Sequence, residues 1–262
     1  MFKIISPATS ANLAPGFDSF GICFNIANEI LAEEFQDAII VNNHGDTLRN
    51  KENLIVKSFF YGCETLGYKP KGLKLNVRSS IPVARGLGSS ASCINAGVTA
   101  AYLISGNKVN KSEIFEISTL IEGHPDNIAP NIFGGASISY RNGKEFKAAK
   151  FNIADKFSFI TIIPEYRLST SKARSVLPET YSREDCVYNI SHASILTLAL
   201  ISGNESLLRD ALHDKLHQPY RSVLIENYEK IIKICMEYGA LGCYLSGAGP
   251  TMVAISTDTK TV

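Results

Sequence analysis

The chain has 262 residues, 45% hydrophobic and 19% charged, which fits one large or two modest globular domains with a sizeable core and excludes disorder as the default. Lysine and arginine (26) nearly balance aspartate and glutamate (25), so no bulk positive field marks a binder of nucleic acid or membrane surfaces, and phosphate binding has to be local. The opening Met-Phe-Lys-Ile-Ile-Ser lacks the apolar run of a signal peptide and the longest apolar stretch, Ser194 to Ile201, is too short to span a bilayer, so a soluble cytoplasmic protein is expected.

Leu73, Leu75 and Val77 alternate with Lys74, Asn76 and Arg78, the period of a half-buried strand. A glycine-rich turn follows, and the run from Ser90 to Ile104 reads as a buried helix closed by Gly106. Asn110 is placed to cap a second helix, with Glu113 completing a capping box, Ile114, Ile117, Leu120 and Ile121 forming its apolar stripe, and Gly123 ending it. The basic and polar stretch Arg141 to Lys150 is read as a boundary between two domains, 1–148 and 149–262. Beyond it Phe157 to Ile163 reads as a strand, Ser194 to Ile201 and Val223 to Met236 as helices, and Cys243 to Ser246 and Thr251 to Ile255 as strands flanking another glycine turn. The six cysteines show neither C-x-x-C pairs nor zinc-ligand spacing and read as reduced, mostly core thiols.

The chemistry is concentrated in the turn Pro82, Val83, Ala84, Arg85, Gly86, Leu87, Gly88, Ser89, Ser90, Ala91 and Ser92. Glycines let backbone approach a ligand closely, and the free N–H groups and dipole at a helix start favour phosphate. No lysine follows these glycines, so the P-loop spelling is excluded. Gly86 to Ala91 does satisfy the relaxed dinucleotide fingerprint G-x-G-x-x-A, but Asn107 to Lys111 offers no acidic residue for the ribose. A glycine turn that merely caps a helix is the third reading.

Pro82 to Ser92 resembles the second motif of the GHMP kinase superfamily, P-x-x-x-G-L-G-S-S-A, in which this loop wraps the phosphates of ATP. Ser6 to Asp18 resembles the first motif and Leu245 to Thr251 the third. Within the superfamily, Ser6 to Asp18, Glu122 to Gly135, Thr170 to Arg174 and His217 to Arg221 are similar to the homoserine kinase branch. The resemblance implies an α+β, two-domain GHMP kinase fold. Its N-terminal ATP-binding domain would be like ribosomal protein S5 domain 2 and its C-terminal domain ferredoxin-like. It further implies transfer of the γ-phosphoryl group of ATP to L-homoserine, giving O-phospho-L-homoserine in threonine biosynthesis. Homodimers are common in the family, although no heptad in this sequence supports one.

Such a substrate carries a carboxylate, an ammonium and a hydroxyl, so its site needs fixed positive donors, an acidic acceptor and a polar group that aims the hydroxyl. By the resemblance, Arg174 and Arg221 clamp the carboxylate with Asn12, Asp18 receives the ammonium, and Asn127 orients the hydroxyl beside Asp126, which is either a neighbour or a general base. ATP brings Mg²⁺, for which Ser90 and Glu116 are the candidate oxygen ligands. His124 is either a substrate contact or a loop histidine, and His192, His213 and His217 are read as structural.

Two departures from the family pattern stand out. Position 14 is alanine where the first motif commonly has glycine, so its turn has to accept a Cβ. The sequence ends at Val262, soon after the third motif, and the C-terminal domain is expected to lack its last elements. Rival readings are another GHMP kinase acting on mevalonate, shikimate or a sugar, a non-catalytic ATP-binding sensor, and a nicotinamide-dependent dehydrogenase.

Overall fold

The computed structural model describes residues 1–36, 38–43, 46–47 and 52–258. The elements run β1 (Phe2–Ala11), β2 (Phe20–Glu34), β3 (Ile39–Asn43), β4 (Asp46–Thr47), α1 (Leu54–Thr65), β5 (Leu73–Arg78), α2 (Ser89–Ser105), α3 (Lys111–Glu122), α4 (Ile128–Phe133), β6 (Ala136–Asn142) and β7 (Glu145–Phe151). They continue as β8 (Ser158–Ile162), α5 (Thr170–Ser175), α6 (Arg183–Ser202), α7 (Glu205–Ala211), α8 (Gln218–Arg221), a 3-10 turn (Ser222–Leu224), α9 (Tyr228–Glu237), β9 (Gly242–Leu245) and β10 (Met252–Ser256). The fold is α+β, in two compact units that are each discontinuous in sequence. The first comprises Met1–Thr9, Gly21–Pro82 and Gly88–Ala149, and the second Ser10–Phe20, Val83–Leu87 and Lys150–Val262.

The first unit is built on a sheet ordered β4-β3-β5-β2-β6-β7, with β1 paired to β2. β5 runs antiparallel to β2, with Glu34 opposite Leu73, and parallel to β3, with Ile39 opposite Leu73. The alternation seen in the sequence places Leu73 and Leu75 in a core with Ile30, Val41, Val56, Phe59 and Ala100, each such large apolar side chain contributing about 1.5–3 kcal/mol of burial. A second cluster joins α2, α3 and α4 through Ile94, Val98, Tyr102, Ile114, Phe115 and Ile128. The cap of α3 has the expected members in a different arrangement. Asn110 Oδ1 accepts the N–H groups of Ser112 and Glu113, while Glu113 takes the Asn110 side-chain amide at 2.7 Å and the Tyr102 hydroxyl at 2.7 Å, tying α3 to α2.

The second unit contains a three-stranded antiparallel sheet, β8-β10-β9, with Met252 opposite both Ile162 and Leu245. Leu168, Ala173, Ile225, Cys235, Leu245, Met252 and Ala254 form its core. All six cysteines are free thiols, and burial pushes Cys63 up to about 12 and Cys93 to about 11.

The stretch Arg141 to Lys150, read as a domain boundary, comprises the end of β6, a turn with Gly143 at φ +64° and most of β7, and the last segment of the first unit ends within it at Ala149. Two expectations are corrected. Leu120 points outward and is 60% exposed, leaving Ile114, Phe115 and Ile117 to form the buried stripe of α3. The helix expected over Val223 to Met236 is interrupted at Asn227, which adopts a left-handed conformation (φ +59°) between the 3-10 turn and α9.

Candidate active site

The glycine loop delivers α2. Gly88 is its N-cap at φ +65° and offers no capping side chain, and the first intrahelical bond runs from Ser92 N–H to the Gly88 carbonyl. The amides of Ser89, Ser90 and Ala91 therefore stand at a helix start whose dipole favours negative charge. Gly88 has to be glycine twice over. Its φ is left-handed, and a Cβ would lie 1.9 Å from Thr9 Oγ1 and 3.1 Å from Asn127 Oδ1. That crowding records how closely Thr9, Gly88 and Asn127 pack in the first unit.

The Ser90 hydroxyl is exposed and donates to Glu122 Oε2 at 2.6 Å. Glu122 Oε1 lies 4.0 Å from His124 Nε2, and His124 Nδ1 is 3.0 Å from Asp126 Oδ1. Asp126 is 3% exposed and accepts the Asn127 N–H at 2.8 Å. Asn127 Oδ1 in turn accepts the Thr9 hydroxyl at 2.8 Å. A continuous polar chain thus runs from the loop serine to Asn127, within the first unit. The carboxylate joined to Ser90 is that of Glu122, not Glu116. Glu116 is exposed on α3, about 9 Å back along the helix axis, with the Lys147 ammonium among its charged neighbours. Sequence reasoning passed over Glu122 and Thr9, although both lie inside the motifs named above. The missing signal was orientation, since no spacing rule says which carboxylate at the end of α3 turns toward α2.

Upstream of the loop, Asn28 Oδ1 accepts from Ser79 Oγ and the N–H groups of Ser80 and Ile81, while its Nδ2 donates to Ser92 Oγ. Asn28 therefore fixes the approach to the loop and the first turn of α2 together. It sits mid-strand in β2, where nothing in the sequence pattern singles it out.

In the second unit the remaining motifs converge. Gly247 N–H donates to the Ala11 carbonyl at 3.1 Å, Asn12 Nδ2 to the Gly247 carbonyl at 3.0 Å, Ser246 Oγ to the Gly86 carbonyl at 2.6 Å, and Thr251 N–H to the Arg85 carbonyl at 3.1 Å. A Cβ on Gly86, itself at φ +78°, would lie 2.4 Å from the Ser246 carbonyl. Arg85 is anchored by its guanidinium on the backbone carbonyls of Pro164 and Tyr166.

The segment from Asn12 to Asp18 is a strained turn, with Asn12, Leu13, Ala14 and Asp18 all at positive φ. Asn12 Oδ1 accepts the Asp18 N–H at 3.0 Å, so its amide closes the turn as well as reaching Gly247. Asp18 and Arg174 form a bidentate pair at 2.7 and 3.1 Å, with side chains 36% and 37% exposed. Arg221 is 2% exposed. Its Nε donates to the Ala173 carbonyl beside Arg174, its Nη1 to the Gly247 carbonyl, and its guanidinium lies 5.2 Å from the Phe17 ring centroid. His217 is structural as expected. It is fully buried, stacked on Phe17 with centroids 5.1 Å apart, with Nε2 2.9 Å from the Ala14 carbonyl. His192 and His213 pack edge to face at 6.3 Å, and His192 stacks on Tyr188.

Residues 53–135 match the family described as GHMP kinases N terminal domain, and residues 196–262 match GHMP kinases C terminal. A homoserine kinase of Clostridium botulinum (strain Eklund 17B / Type B) is 44% identical over 256 residues, 97% of this chain and 86% of that protein. One of Clostridium beijerinckii is 43% identical over the same shares. The crystal structure of homoserine kinase from Cytophaga hutchinsonii aligns with a TM-score of 0.87 at 29% identity, covering 99% of this chain and 86% of that one. A mevalonate kinase structure, at 17% identity and a TM-score of 0.74, shares the fold alone. Among the described residues no helix is long and apolar enough to cross a membrane. With identities of 40% and more across nearly its whole length, the chain belongs to the homoserine kinase family of the GHMP kinases.

Proposed function

We infer that this chain is an ATP-dependent kinase that transfers the γ-phosphoryl group of ATP to the side-chain hydroxyl of L-homoserine, giving O-phospho-L-homoserine. The observation that carries the choice of substrate is the Asp18–Arg174 pair. An α-amino acid presents a carboxylate and an ammonium, so it can take the place of each partner for the other. Mevalonate has no ammonium, and a neutral sugar has neither charge. In this reading Arg174 and Arg221 hold the carboxylate with Asn12, and Asp18 takes the ammonium. Arg221 also fixes the backbone next to Arg174.

The uncapped start of α2 fits polyphosphate. Its Ser89 to Ala91 amides and dipole meet the negative charge, and loop residues Pro82 to Ser92 follow the nucleotide. The Ser90 hydroxyl and Glu122 carboxylate are hard oxygen donors suited to Mg²⁺, which when bound neutralises charge between the phosphates. Asn127, with its Oδ1 held by Thr9, turns its amide toward the substrate hydroxyl. Transfer is in line and direct. The hydroxyl oxygen bonds to the γ-phosphorus, the bond to the bridging oxygen breaks so that ADP departs, and the hydroxyl proton passes to an oxygen of the transferred phosphoryl group. Little base strength is required for a loose transition state, so Asp126 acts by fixing Asn127 and His124. The reading also keeps residues 1–148 as the ATP-binding domain and 149–262 as the C-terminal domain, and places the enzyme in the cytoplasm in threonine biosynthesis.

The test is ADP release from Mg-ATP by the purified protein with L-homoserine, mevalonate, shikimate or galactose, with the product weighed by mass spectrometry. Turnover on L-homoserine with a product heavier by one phosphoryl group is expected, and turnover on another member of the panel alone would overturn the assignment.

A further inference from the structure

We infer, on the reading of α2 as the phosphate site, that Asn28 and Ser92 are positioning residues for the nucleotide. One buried link between an amide and a hydroxyl ties the two ends of the glycine loop together, so that the Ser89 to Ala91 amides are set for polyphosphate before it arrives. The chain leaves the first unit after Pro82 and re-enters it at Gly88, and Asn28 bonds to the chain on both sides of that excursion.

Asn28 is 3% exposed in the middle of β2, and backbone donors fix which way its amide lies. Its Oδ1 accepts the Ser80 N–H at 2.9 Å and the Ile81 N–H at 3.1 Å, immediately before Pro82, which leaves Nδ2 to donate to Ser92 Oγ at 3.1 Å. Ser92 is fully buried and its hydroxyl donates to the Ser6 carbonyl at 3.3 Å, so the last residue of the loop motif spends its side chain inside the first unit rather than on a ligand. Ser6 Oγ in turn lies 3.0 Å from both the Ser92 carbonyl and Asn131 Oδ1, one helical turn beyond Asn127. The first turn of α2 is thus pinned to β1, β2 and α4 by hydrogen bonds, which fix distance and direction where apolar packing fixes neither. A loop held in this way has less conformational freedom to lose when phosphate binds, and the saving appears as nucleotide affinity. Leucine at position 28 would leave the buried Ile81 N–H without its partner, and aspartate would present Ser92 with an acceptor in place of the donor.

Nucleotide and amino acid are read separately on the purified full chain. MgATP is titrated by calorimetry without L-homoserine, KM for each substrate is taken from ADP release, and Tm is recorded, for the unaltered chain, Ser92→Ala, Asn28→Ala and the double variant. Loss of one such hydrogen bond in Ser92→Ala is expected to raise Kd and KM for ATP by about 2- to 13-fold, with KM for L-homoserine within about twofold of its original value. Both substitutions break the same link, so the effect of the double variant is expected to fall short of the product of the single effects by about twofold or more. Ser92→Ala removes a single oxygen and carries the affinity test even if Asn28→Ala folds poorly. A lowered Tm with unchanged ATP affinity, an equal rise in both KM values, or single effects that simply multiply would overturn the inference and leave the kinase reading standing. An unaltered chain that binds no MgATP would overturn both.

Discussion

Arg174→Ala separates the two roles that the Asp18–Arg174 pair can have. If the pair is mainly structural, removing it should cost stability and leave substrate binding alone. The side chains are 37% and 36% exposed, and exposed ion pairs contribute about 0–1 kcal/mol. The Phe17 ring, 5.9 Å from Arg174 Cζ, adds about 0.5–1 kcal/mol at a partly exposed site. For a chain of this size the sum lowers Tm by no more than about 8 °C. Binding is affected differently, because in the free enzyme the Arg174 donors are already satisfied by Asp18, so the carboxylate replaces a bond as well as forming one. The net loss is then close to one charge-assisted hydrogen bond, about 1.5–3 kcal/mol, or about 10- to 150-fold in kcat/KM for L-homoserine. Thermal unfolding and steady-state ADP release on the same preparation read both numbers. A larger fall in Tm together with an unchanged KM for L-homoserine would refute the substrate role.

Three other consequences follow from particular residues. Ala14 is buried at φ +63°, so Ala14→Gly should relieve left-handed strain and stabilise the fold by about 0.5–1 kcal/mol, raising Tm with kcat unchanged. Glu122→Gln should raise the Mg²⁺ concentration for half-maximal rate by about tenfold or more with little change in Tm, whereas Glu116→Gln should change neither. Burial holds the His217 imidazole below its ordinary value, against the pull of Asp214 and together with the Arg221 cation. The unfolded chain takes up that proton more readily, so stability is full above pH of about 6.5 and falls as pH drops below it, by at most about 1.4 kcal/mol per unit. His217→Gln should flatten that part of a chemical-denaturation profile.

Much of this was legible in the sequence where one residue type has one physical use. Gly106 and Gly123 end helices because a left-handed C-cap suits glycine, and both adopt it. Leu73, Leu75 and Val77 spelled a strand by period alone, and the three glycine motifs announced loops that the structure ties together at Gly86, Ser246 and Gly247. Polarity hid the second strand of the β6–β7 hairpin, because an exposed strand has the composition of a loop. Residues whose role depends on orientation could not be found from spacing. Glu122 and Glu116 are chemically identical carboxylates on one helix, and only the packing of α3 against α2 selects Glu122 for Ser90. Thr9 and Asn28 are ordinary strand residues until the glycine loop is folded against them.

The central claim is that this site reads both charges of an amino acid, and substrate analogues that each lack one charge test it most directly. kcat/KM would be measured for L-homoserine, for 4-hydroxybutyrate, which lacks the ammonium, and for 3-amino-1-propanol, which lacks the carboxylate. With Asp18 and Arg174 each answering one charge, both analogues should fall by about 10- to 150-fold or more. An analogue phosphorylated as efficiently as L-homoserine would contradict the role of the residue that faces its missing group.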